Sequence, residues 1–83
     1  MHTMSLDHLK PGEYATIRAV NAEDGLQQRL NALGFRVGKR IELVRRGRFH
    51  GPLHVRIGAT EVMMRSTEAH CIQVSQDAGA SHP

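Results

Sequence analysis

Six histidines and one cysteine are the side chains of this 83-residue chain best suited to chemistry. His70 stands directly before Cys71, and a thiol beside an imidazole is the pairing that nucleophilic catalysis uses. Cys71 to Val74 reads as a strand, where successive side chains point to opposite faces, so these two are badly placed to share a proton. No third group to orient the imidazole is evident, and the chain is short for a substrate cleft. A phosphate-cradling loop of the Gly-x4-Gly-Lys-Ser/Thr type is also missing. No enzymatic activity is expected.

Imidazole and thiolate also suit zinc or ferrous ions, which makes His50, His54, His70 and Cys71 the candidate metal ligands. Their spacing is unhelpful. There is no Cys-x2-Cys pair and no His-x3-His on a helix, and four residues of strand would hold His50 and His54 about 13 Å apart. No cofactor is required on this reading. Zinc or Fe(II) enters as an adventitious or regulatory ligand of solvent-facing histidines.

Binding surfaces are the remaining kind of site, and two stretches offer one. The first is the outer side of a helix with its following loop, including Arg29, Leu33, Arg36 and Lys39. The second is Arg45-Arg-Gly-Arg-Phe-His50, where Arg46, Arg48 and Phe49 combine charge with a large apolar group, the composition of an interface anchor. Phe49 has an alternative place, tucked over the core.

These residues need elements to position them, and the sequence outlines those elements. Asp24 to Leu33 reads as the one convincing helix, with Asp24 as N-cap, Gln27 completing a capping box, and Gly34 ending it in the left-handed conformation. Leu26, Leu30 and Leu33 form its apolar stripe. Period-2 alternation marks strands over Glu13–Val20, Ile41–Arg46, Leu53–Ile57, Glu61–Arg65 and Cys71–Val74, with a tight hairpin at Gly58-Ala-Thr60 and a single helical turn at Ser66–Ala69. Five short strands with frequent turns point to a mainly β fold, a small closed barrel of the src-homology-3 type with one inserted helix over about residues 24–33. Residues 1–5 are expected to be a flexible N-terminus, 6–75 the folded domain, and 76–83 a disordered tail.

Composition sets limits around this picture. One small domain is all that 83 residues support. With a single Cys71 there is no internal disulfide, and no signal-peptide pattern or apolar run of about 20 residues is present, so a cytoplasmic protein without membrane insertion is expected. The net charge of +3 is a mild bias that, without clustering on a recognition element, does not argue for nucleic acid. A monomer or weak homo-oligomer fits.

At family level, Leu9-x-x-Gly12, then Arg29-Leu30-x-x-Leu33-Gly34-Phe35-x-x-Gly38-x-x-Ile41-x-Leu43, then Gly51-Pro52-Leu53-x-Val55 and Ala69-x-x-Ile72-x-Val74 resemble the FeoA domain. The likeness runs from Leu6 to Val74 and extends to the C-terminal domain of DtxR-type metal-dependent repressors. With few residues before the barrel, the upstream DNA-binding helix-turn-helix of such repressors is not expected here. The resemblance implies a cytoplasmic accessory protein of ferrous iron uptake, whose partner is FeoB, a membrane transporter with a cytoplasmic G domain. The alternative reading is a ferrous or zinc ion sensor or carrier.

Overall fold

Alternating apolar residues build the core from five strands at once. In the computed structural model, which describes residues 3–49 and 51–76, Ala15 and Ile17, Ile41 and Leu43, Leu53, Val55 and Ile57, Met64, and Ile72 and Val74 are all buried in one cluster. The strands that carry them are β2 (Tyr14–Val20), β3 (Arg40–Arg46), β4 (Leu53–Ile57), β5 (Thr60–Met64) and β6 (Ile72–Ser75). One curled sheet can direct that many inward faces at a single cluster, and the strand order is β1-β6-β2-β3-β4-β5, antiparallel throughout.

Two expectations change here. A sixth strand, β1 (Thr3–Ser5), pairs with β6, so residues 3–5 of the segment expected to be flexible are part of the sheet. The sheet is not closed into a barrel, because β1 and β5 remain as separate edges with no ladder between them. Closure depends on whether the two edge strands meet, which alternation within each strand does not specify. The tail beyond residue 76 lies outside the described residues.

Helix α1 (Asp24–Ala32) begins one residue earlier than its capping signal suggests. Glu23 is the N-cap, no side chain caps it, and its carbonyl accepts from the Gln27 N–H at 2.7 Å. Leu30 is fully buried, with Leu26 and Leu33 packed against the core beside it. The C-terminal end is a complete Schellman motif: the Phe35 N–H donates to the Leu30 carbonyl at 2.9 Å and the Gly34 N–H to that of Asn31 at 3.0 Å. Gly34 has φ +100°, a conformation that glycine adopts without strain. The motif drives Phe35 into the core, where it is the largest fully buried side chain.

A 3-10 turn, Leu6–His8, follows β1 and buries Leu6; Leu9 behind it is buried as well. A second short helix, α2 (Ser66–Ala69), leads from β5 to β6, its start held by the Arg65 N–H donating to Glu68 at 2.9 Å.

Candidate docking surfaces

The two stretches singled out by composition lie at opposite ends of β3. Its seven residues place them about 20 Å apart.

At the N-terminal end, α1 hands over to the turn Arg36–Lys39. The Lys39 N–H closes that turn on the Arg36 carbonyl at 3.1 Å, with Gly38 at φ +94°. The turn is fastened to β2, since the Gly38 N–H donates to the Ile17 carbonyl and the Ile17 N–H to the Lys39 carbonyl, both at 2.8 Å. Arg36 and Lys39 are exposed, Leu33 is half-buried, and Val37 presents an apolar side chain at the turn, 65% exposed. The surface is therefore a rigid apolar tip between two cations. Val37 is absent from the residues that sequence singles out, because there it reads only as part of a turn.

Arg29 differs from its neighbours. Its guanidinium pairs with Glu68 of α2, tying the outer face of α1 to the segment before β6. The Arg65 N–H, and after it Arg29, hold the Glu68 carboxyl below its ordinary range.

At the C-terminal end of β3, the loop to β4 closes with the Gly51 N–H on the Arg48 carbonyl at 2.9 Å and the Gly47 N–H on the Pro52 carbonyl at 2.8 Å. Phe49 sits in this loop at φ +52° and is 94% exposed. Of its two possible places, the solvent-facing one holds. Arg48 is exposed beside it, whereas Arg46 turns inward and donates to the carbonyls of Asp7 (2.5 Å) and Leu9 (2.7 Å), clamping the 3-10 turn to β3. Two depressions of about 410 and 600 Å3 flank Pro52 and Arg65, lined further by Met63 and Glu68 on one side and by Ser66 and Thr67 on the other.

Among the described residues, the expected metal ligands His54, His70 and Cys71 do not converge. His54 pairs with Glu61 across β4 and β5 at 2.7 Å, within a ladder in which Arg56 bridges Glu61 and Glu42, both at 2.9 Å. Hydrogen bonds from Arg56 and then His54 lower the Glu61 pKa. His70 faces Asp7 at 3.6 Å. Burial raises the Asp7 pKa, but the Ser5 hydroxyl and the charges of His8 and His70 outweigh it, leaving the carboxyl below its ordinary range. Cys71 sends its thiol to the Thr67 carbonyl at 3.7 Å. His70 and Cys71 occupy the turn after α2 rather than a strand, and still serve different partners. His50 lies outside the described residues. Among the described residues, no three His, Cys, Asp or Glu side chains gather closely enough to hold a metal ion.

The fold is thus a curled antiparallel sheet of the src-homology-3 type that exposes Val37 and Phe49 close in sequence to cationic residues. The chain belongs to the FeoA domain family, whose model matches residues 4–76. An Fe(2+) transport protein A of Campylobacter jejuni is 32% identical over 72 residues, covering 87% of this chain and 97% of that one. The crystal structure of Stenotrophomonas maltophilia FeoA, complexed with zinc, superposes with a TM-score of 0.78 at 32% identity, with 92% of each chain covered. A manganese-dependent transcriptional repressor shares the fold at TM-score 0.83 and 21% identity, over 90% of this chain and 42% of the repressor. No described helix is long and apolar enough to cross a membrane.

Proposed function

We propose that this protein is a non-enzymatic accessory component of ferrous iron uptake that docks on a FeoB-type membrane transporter, at its cytoplasmic G domain, through the turn following α1. The membership of residues 4–76 in the FeoA family carries this reading. The surface that supports it is Val37 set between Arg36 and Lys39, with Leu33 behind. Two backbone hydrogen bonds to β2 hold the turn's backbone in one arrangement, which lowers the ordering cost of association. The flanking cations suit an acidic rim on the partner and would speed encounter. Arg29 contributes by holding α1 against α2. The test is co-purification of the protein with a detergent-solubilised FeoB transporter, using an unrelated membrane GTPase as control. Retention by the transporter alone supports the reading, and equal recovery with both contradicts it.

A second reading rests on the zinc-complexed relative. His54 and Glu61, 2.7 Å apart on the outer sheet face, supply two of the four ligands that a zinc ion takes, leaving a second molecule to supply the rest. On this reading zinc is a weak surface ligand of this chain, and no metal is needed for folding.

A further inference from the structure

We propose that Arg45, Arg48 and Phe49, at the C-terminal end of β3 and just beyond it, form a contact site for anionic lipid headgroups, with Phe49 entering the interfacial layer and the two arginines holding phosphates. This surface is separate from the transporter-docking turn and does not depend on that reading.

Between Glu42 and Glu61 the chain carries no acidic residue, and it carries Arg45, Arg46, Arg48 and Arg56. The structure sorts these four. Arg56 is neutralised by Glu42 and Glu61, and Arg46 is spent on backbone carbonyls inside the fold. Arg45 and Arg48 are exposed and make no ion pair among the described residues. Arg65, exposed beyond the end of β5, adds a third cation near Pro52.

Phe49 is held out rather than left out. A β-carbon at Gly51 would lie 2.8 Å from the Arg48 carbonyl, so the turn is too tight for any other residue there. A bulky residue at φ +52° is strained, and strain of this kind persists only where the surroundings enforce it. The result is an aromatic ring almost wholly in water in the loop that joins β3 to β4.

The surroundings of Phe49 favour a lipid surface over an extended acidic peptide. A peptide needs a groove, and the two depressions nearby are lined by Pro52, Met63, Arg65 and α2, with Phe49 in the wall of neither. The ring stands at the tip of the loop, 94% exposed. A bilayer interface accepts such a tip without a complementary pocket: an aromatic ring settles at the headgroup boundary, and guanidinium groups bind phosphodiesters in bidentate fashion. Each arginine near an anionic surface is worth about fivefold in partitioning at low salt. Two or three arginines with one ring give weak, reversible attachment, well short of insertion.

Co-sedimentation with vesicles tests this directly. Equimolar phosphatidylglycerol and phosphatidylcholine vesicles should retain the protein at low salt and release it at high salt, and pure phosphatidylcholine vesicles should not retain it. Phe49→Ala and Arg48→Glu should each lower the bound fraction about fivefold or more with melting temperature unchanged, while Arg36→Glu, at the far end of β3, should retain more of it than Arg48→Glu. The chain has no tryptophan, so Phe49→Trp adds a clean probe whose emission should shift to the blue with anionic vesicles only. Equal binding to both vesicle types, no binding at low salt, a Phe49→Ala variant that binds as well as the parent, or an unshifted indole emission from the Phe49→Trp variant would each overturn the proposal.

Discussion

Replacing Arg46 by alanine should cost stability rather than binding. Its guanidinium fastens the 3-10 turn Leu6–His8 and the residue after it to β3, by donating to the carbonyls of Asp7 and Leu9 across 39 and 37 residues of sequence. Hydrogen bonds from a charged donor contribute about 1.5–3 kcal/mol each, so two would give about 3–6 kcal/mol if nothing replaced them. The site is only half-buried, and water will recover part of that. A loss of about 2 kcal/mol is expected, or about 8–16 °C in Tm for a domain of this size. Arg46→Lys keeps the charge without the forked geometry and should recover less than half of the loss. Urea unfolding followed by far-ultraviolet circular dichroism measures both variants. A loss below about 0.5 kcal/mol for Arg46→Ala would mean that the clamp is not made in solution.

Other consequences are open to simpler tests. Leu30→Ala removes the one fully buried residue of α1 and should destabilise by about 2–5 kcal/mol in the same assay, whereas Val37→Ala should be nearly neutral. Glu68 has a folded-state pKa below its ordinary value of 4.5, so its stabilisation is fully present above that pH and is lost as pH falls through the folded value. Glu68→Gln should therefore flatten the acid limb of a stability–pH curve, and an unchanged limb would count against the Arg29–Glu68–Arg65 contact. Calorimetric titration with zinc should show weak binding that falls further in His54→Ala, without any change in melting temperature of the metal-free protein.

Much of this fold is written in period-2 alternation. Leu53, Val55 and Ile57 point inward and His54 and Arg56 outward because a sheet with one wet face requires it, and Gly58-Ala59 closes β4 on β5 as the two-residue turn it resembles. Thr3–Ser5 is too short to show a period, and its place at the edge depends on β6, about seventy residues away. Ala19 is less buried than its alternation suggests because the β2–β6 register slips between Ile17 and Ala19, a bulge with no local signature. The candidate docking surfaces are legible in composition and not in role. Arg46 and Arg48 look alike in sequence, yet one ties the fold together from within and the other faces water, since only the path of the 3-10 turn decides which carbonyls lie in reach. Gly34 and Gly38 punctuate the chain as turn residues, and the rigid apolar tip at Val37 follows from their geometry together with the pairing to β2.

The docking assignment is tested most directly by calorimetric titration of the purified protein into the G domain of its FeoB-type transporter, comparing Val37→Glu and the double variant Arg36→Glu/Lys39→Glu with the parent. Both should weaken binding at least about tenfold, the range expected of anchor residues at an interface centre, with melting temperatures unchanged. Parent-like affinity in both variants would contradict the proposal that this turn carries the protein's function.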